Sequence, residues 1–124
     1  MRIAMLANPR SGRLAREDEA LLDALSAHGS IHAIEQLDGD TAQAVSAIIA
    51  RKPDAIAIAG GNGTIRAVTE AAVRANCTLP LIPLPLGTAN RLPRALYGDR
   101  DAMAILDGAG RFSAGQVWEL ARGR

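Results

Sequence analysis

The stretch Ala55-Ile56-Ala57-Ile58-Ala59-Gly60-Gly61-Asn62-Gly63-Thr64 joins an unbroken apolar run to a glycine loop, and its reading decides the fold. A second stretch is built alike: Leu81-Ile82-Pro83-Leu84 leads into Pro85-Leu86-Gly87-Thr88-Ala89-Asn90. Each reads as a buried strand that ends in a loop and passes into a helix. At such a junction the first helical turn carries backbone N–H groups without intrahelical partners, and glycine lets a phosphate approach them. A third loop, Asn8-Pro9-Arg10-Ser11-Gly12, follows the apolar run Ile3 to Ala7. The three together point to a phosphate or nucleotide binder. The same glycines also suit a tight strand-to-helix turn with no ligand.

Working outward, Leu14, Leu21, Leu22 and Leu25 share one helical face between residues 14 and 28, and Gly29 is a suitable stop. Ile31 to Leu37 reads as a strand interrupted by Glu35 and Gln36. A helix follows from Thr41 to Arg51, with Val45, Ile48 and Ile49 on one face and Pro53 ending it. After the strand Ala55 to Ala59, the spacing predicts a helix from Thr64 to Ala75. The strand Leu81 to Leu84 contains Pro83, which suits the end of a strand or a bulge better than a central strand. Short helices are expected over Ala89 to Leu96 and Arg100 to Asp107, and the tail Phe112 to Leu120 reads as one more strand. This alternation predicts a three-layer α/β domain with a mostly parallel sheet, in which ligands gather at the carboxyl ends of the strands.

The 124 residues suit one domain, and hydrophobic residues at 48% with one Trp, one Tyr and one Phe require a core of Ala, Leu, Ile and Val. A net charge of +1 supplies no field for nucleic acid, which is not expected as a partner. Cys77 stands alone, so there is no intramolecular disulfide and no cluster of metal ligands, as suits a reducing cytoplasm. The N-terminal apolar run is too short for a signal-peptide core or a membrane span.

The three loops resemble the nucleotide-binding domain of the diacylglycerol kinase-like lipid kinases. Gly87-Thr88-Ala89-Asn90 is similar to the family's Gly-Thr-x-Asn loop, Ile65 follows the first glycine motif as in the family, and Arg94-Ala95-Leu96 matches the usual continuation. NAD kinases and phosphofructokinases share a related motif and domain shape, but Asn-Pro-x-Ser-Gly favours the lipid kinases. The resemblance implies a nucleotide-binding domain of the NAD kinase/diacylglycerol kinase type over residues 1–124. It implies ATP with Mg2+ as the nucleotide, held by Asn8, Ser11, Gly60, Gly61, Asn62, Gly63, Thr64, Ile65, Gly87, Thr88 and Asn90. The parent reaction moves the γ-phosphate to a lipid hydroxyl, so a cytoplasmic protein would meet its substrate at the bilayer surface.

Three positions depart from the family pattern. Asn62 stands where the family has aspartate, the catalytic position, and a neutral amide neither takes a proton nor holds magnesium well. Arg91 replaces an aspartate after Asn90, and Glu35 replaces a threonine near the nucleotide. Family members also have a β-sandwich domain, and the chain is expected to lack it. The expectation is therefore nucleotide binding with weak or absent turnover. The alternative is a non-catalytic nucleotide-binding or self-associating regulatory module, and a third reading is a kinase for another small hydroxyl compound.

Other residues read more plainly. His28 and His32 are expected to be structural or solvated. Asp38 and Asp40 suit a turn followed by a helix cap, with a cation as the alternative. Arg10 and Arg13 either steer phosphate or lie on a solvated face. Trp118 is expected to anchor a core or an interface, and apolar surface at Val117, Trp118 and Leu120 would be covered in a homodimer.

Overall fold

The computed structural model describes residues 2–10, 20, 23–87, 89–108 and 111–122. Four strands form its sheet: β1 (Ile3–Ala7), β2 (Ile31–Gln36), β3 (Ala55–Gly60) and β4 (Leu81–Pro85). The helices are α1 (Thr41–Ala50), α2 (Asn62–Arg74), α3 (Arg91–Tyr97), α4 (Ala102–Gly108) and α5 (Ala114–Arg122). Residues 23–26 are also helical and carry the buried Leu25, while most of the helix expected over 14–28 lies outside the described residues, as do Ser11 and Thr88.

All strand pairs are parallel, in the order β2-β1-β3-β4. Every residue of β1 and β3 is buried, which explains their unbroken apolar sequences: a parallel sheet covered on both faces has no face for polar side chains. Alternate residues feed two cores. Ala4, Leu6, Ile56 and Ile58 pack with Val45 and Ile48 of α1, Ile65 and Val68 of α2, and Val117 of α5. Met5, Ala57 and Ala59 face the opposite way, toward Leu25, Tyr97 and the α4 residues Ile105 and Leu106. The result is the three-layer α/β architecture expected from the alternation of elements.

Pro83 is accommodated because β4 is an edge strand. Leu81 exchanges both backbone hydrogen bonds with Phe112, at 2.7 and 3.1 Å, on the side away from β3. Two residues on, the position of Pro83 also faces outward, so its missing N–H costs no bond to β3 and blunts the edge.

The tail differs from the expected strand: Phe112 makes only an isolated antiparallel bridge, and residues 114–122 are the helix α5. Its buried residues Ala114, Val117 and Ala121 recur at helical spacing. A capping box starts it. The Ser113 Oγ accepts from the Gln116 N–H at 3.1 Å, and the Gln116 Oε1 accepts from the Ser113 N–H at 2.9 Å. Val117 is fully buried against the sheet, while Trp118 is half-buried under the Arg66 guanidinium, 6.0 Å from its ring centroid.

Asp40 caps α1 as expected, accepting from the Gln43 N–H at 3.2 Å. His28 accepts from the Ser30 N–H through Nδ1 and donates through Nε2 to Asp107 at 2.8 Å, a partner that sequence spacing does not reveal. His32 donates from Nδ1 to the Ile3 carbonyl at 3.1 Å.

The Tyr97 ring packs edge-on against Phe112, with centroids 5.6 Å apart, and its hydroxyl is buried without a hydrogen-bond partner among the described residues. Burial pushes the phenol well above the usual tyrosine range. Tyr97→Phe should therefore raise stability, by about 1 kcal/mol, because it removes an unsatisfied buried group and keeps the ring. Urea denaturation of the two proteins measures the difference; a loss of stability would show that the hydroxyl is satisfied.

Candidate functional site

The strand order reverses direction of growth between β1 and β3, and at such a switch point the connections leave the carboxyl edge on opposite sides and open a crevice. The loops after β1, β2 and β3 meet there. The chain enters α2 directly from β3: Gly61 is the N-cap, and the first helical bond runs from the Ile65 N–H to the Gly61 carbonyl at 3.0 Å. The helix thus begins at Asn62, two residues before the expected start at Thr64. What reads as a glycine loop is largely the first turn of a helix.

Two glycines are fixed by packing. A Cβ on Gly60 would lie 2.7 Å from the Thr64 side chain, and a Cβ on Gly87 would collide with the Gly61 Cα. The turns after β3 and β4 therefore touch backbone to backbone. Asn90 holds the second turn. It adopts the left-handed conformation at φ 54, which asparagine tolerates, and its Oδ1 accepts from the Gly87 N–H at 2.8 Å.

Side-chain amides join the elements. Asn8 donates its own N–H to the Ala59 carbonyl at 2.9 Å, and its Nδ2 donates to the Thr64 Oγ1 at 2.9 Å. Its Oδ1 accepts from the Arg10 N–H at 3.0 Å, which turns the loop. Asn62 reaches across to α3, where its Oδ1 accepts from the Leu92 N–H at 3.1 Å. It caps a helix other than its own.

These contacts divide the surface around the first turn of α2. On one side a cleft of about 550 Å³ is lined by Asn8, Arg10, Asp38, Gly39, Gly63 and Thr64. On the other side a hollow of about 500 Å³ takes in Asn62, Gly63 and residues of α3 and α5. Of the nucleotide-site residues that the resemblance implies, Asn8, Gly63 and Thr64 face the cleft and Asn62 faces the hollow. Gly61 and Gly87 form the contact between the turns, the Ile65 side chain is in the core, and Asn90 lines a third depression with Pro85 and Arg94. Arg10 and Asp38 join the cleft. Asp38, which reads from sequence as a turn residue with a cation as the alternative, comes from the loop after β2, which leaves the same sheet edge. Glu35 is turned to the Arg51 guanidinium at 3.0 Å and does not line the cleft.

A parallel sheet with these turns defines an α/β domain of the diacylglycerol kinase-like fold. Two solved structures from Bacillus anthracis strain Sterne share it. One is described as a "putative diacylglycerol kinase" (TM-score 0.61, 21% identity, covering 99% of this chain and 40% of that one). The other is described as a diacylglycerol kinase (TM-score 0.58, 19% identity, covering 99% of this chain and 40% of that one). The sequence matches the diacylglycerol kinase catalytic domain over residues 2–117, and the chain belongs to that family. The Pseudomonas aeruginosa protein "Probable lipid kinase YegS-like" is 38% identical over 77 residues, covering 60% of this chain and 26% of that protein. The chain thus spans about a quarter of the length of this curated relative.

The packing separates three substitutions. Gly87→Ala should destabilise the fold by about 1–3 kcal/mol, since backbone meets the new methyl group. Asn62→Ala should cost about 1 kcal/mol through the lost cap, while Asn62→Asp keeps an acceptor and should change stability by less than about 0.5 kcal/mol. Chemical denaturation of each protein against the parent gives these values, and an Asn62→Asp protein as unstable as Asn62→Ala would contradict the capping role.

Proposed function

We propose that the domain binds ATP in the cleft lined by Asn8, Arg10 and Thr64, and that it derives from a catalyst of γ-phosphate transfer to a lipid hydroxyl. The observation that supports this best is that Asn8 and Arg10 of the first family loop and Gly63 and Thr64 of the first glycine motif meet, with the loop after β2, on one cleft at the switch point of the sheet. The backbone N–H groups of Asn62 and Gly63 precede the helical ladder of α2, whose positive end favours phosphate. The exposed Arg10 guanidinium adds a fixed cation at the same mouth.

The residues fit a nucleotide. Gly63 has open space at its Cβ position, so a ligand atom can approach the backbone there. For magnesium the cleft supplies one carboxylate, Asp38, and among the described residues no three of His, Cys, Asp and Glu gather into a metal cage. That suits an ion held mainly by phosphate oxygens and water, with Asp38 as its protein contact. Bound with the nucleotide, magnesium would neutralise charge developing on the transferred group.

Asn62 supports weak or absent turnover. Its amide has no basic site to take a proton, and its oxygen is engaged by Leu92. The same observation favours a second reading, a non-catalytic nucleotide-binding module. Among the described residues no helix is long and apolar enough to cross a membrane, so a lipid acceptor would be met at the bilayer surface.

Titration calorimetry with Mg-ATP tests the site. The parent should bind saturably, Arg10→Gln about tenfold more weakly, and Asn8→Ala more weakly again because Thr64 loses its tether. Gly63→Ala should raise stability by about 0.4–1 kcal/mol and still weaken binding, since its methyl group points into open space where the phosphate would lie. No heat with the parent protein would overturn the nucleotide reading. Transfer of labelled phosphate to diacylglycerol in mixed micelles by the parent, at a rate matched by Asn62→Asp, would overturn the non-catalytic one.

A further inference from the structure

The hollow separated from the cleft by Gly63 of α2 has a composition of its own. Its walls are Leu92 and Ala95 of α3 with Leu120 and Ala121 of α5, and two arginines, Arg66 and Arg91, complete the lining. At about 500 Å³ it lies within the range of small-molecule pockets.

The arginines are the informative part. The acids on and beside these helices are engaged elsewhere: Glu70 faces Arg74 at 3.4 Å, Glu119 faces Arg122 at 3.9 Å, and Asp99, just after α3, faces Arg94 at 3.8 Å. Arg66 and Arg91 have no carboxylate within ion-pair distance among the described residues, and no acidic residue lines the hollow. Nor does the first turn of α2, which forms the floor, contain one. Arg66 is held over Trp118, so its guanidinium is positioned rather than free to sweep the solvent. Two guanidinium groups beside an apolar wall, with no acid to neutralise them, complement a molecule that is anionic at one end and apolar along its length.

We propose that this hollow binds a single-chain anionic amphiphile, with its alkyl chain on Leu92, Ala95, Leu120 and Ala121 and its phosphate head between Arg66 and Arg91. The site requires neither nucleotide nor phosphoryl transfer, and it stands or falls separately from the ATP cleft. It would select anionic over neutral lipids, because a neutral head leaves both cations unpaired.

The chain has one tryptophan, Trp118, and Arg66 lies over its ring, so its fluorescence reports an anion that engages Arg66. Decyl phosphate titrated below its micellar concentration should change the emission saturably. Arg91→Gln should weaken this response about tenfold, and Arg91→Lys, which keeps the charge, by no more than about threefold. Ala95 is exposed, so Ala95→Asp should fold normally, place a carboxylate one helical turn from Arg91 and abolish the response. Inorganic phosphate and neutral decyl maltoside at the same concentrations should leave the emission unchanged. An equal response to inorganic phosphate would reduce the hollow to an anion site, and an equal response to decyl maltoside to an apolar one. Either result, or full binding by both Arg91→Gln and Ala95→Asp with unchanged melting temperatures, would overturn the proposal.

Discussion

The backbone contact between Gly61 and Gly87 is the constraint on which the arrangement of the site depends. β3 and β4 are hydrogen-bonded neighbours with Gly60 opposite Pro85, so the turns that leave them start side by side. A Cβ at Gly87 would collide with the Gly61 Cα, so that position of the second turn has room only for glycine. Because the turns pass so closely, α2 and α3 begin next to one another, and the Asn62 side chain can reach the Leu92 amide. The Asn8–Thr64 bond performs the corresponding task between β1 and α2. Three chain segments distant in sequence are thereby fixed around one helical turn.

That turn borders two concave surfaces. Gly63 lines both the cleft and the hollow, and it is the thinnest possible partition because it has no side chain. Cations mark each side, Arg10 on one and Arg66 with Arg91 on the other, while among the described residues the one carboxylate lining either, Asp38, belongs to the cleft. The described lining of the cleft thus carries charge of both signs, and that of the hollow positive charge alone. A substitution at Asn62 acts first on the hollow and on the seat of α3.

How far the sequence could be read depended on whether the deciding interaction was local. β1 and β3 were legible because burial on both faces demands continuous apolar runs. Their glycine turns were legible as a pattern, since both follow strands at the same sheet edge. The large apolar residues of the tail alone read as a strand, whereas the small ones, Ala114 and Ala121, complete a helical stripe with Val117. Ser113 and Gln116 at capping-box spacing were the available signal. Asn62 shows another limit: its chemistry can be compared with an aspartate from sequence, but the amide it caps belongs to a residue 30 positions later. Arg66 gave no signal at all, since its significance comes from Trp118 and from acids that are engaged elsewhere.

The strand order also determines when the domain can become a domain. β1 lies in the interior of the sheet, yet it precedes both its neighbours in synthesis, and its Ile3 must wait for Ile31 on one side and Ala55 on the other. Until β3 emerges, a fully apolar segment has no completed layer to enter, and non-local parallel pairing of this kind is slow to form. A nascent chain halted between β2 and β3 would present that segment to chaperones or to other chains. The same interior position that gives the finished sheet its dry centre makes the half-made chain the form most in need of protection.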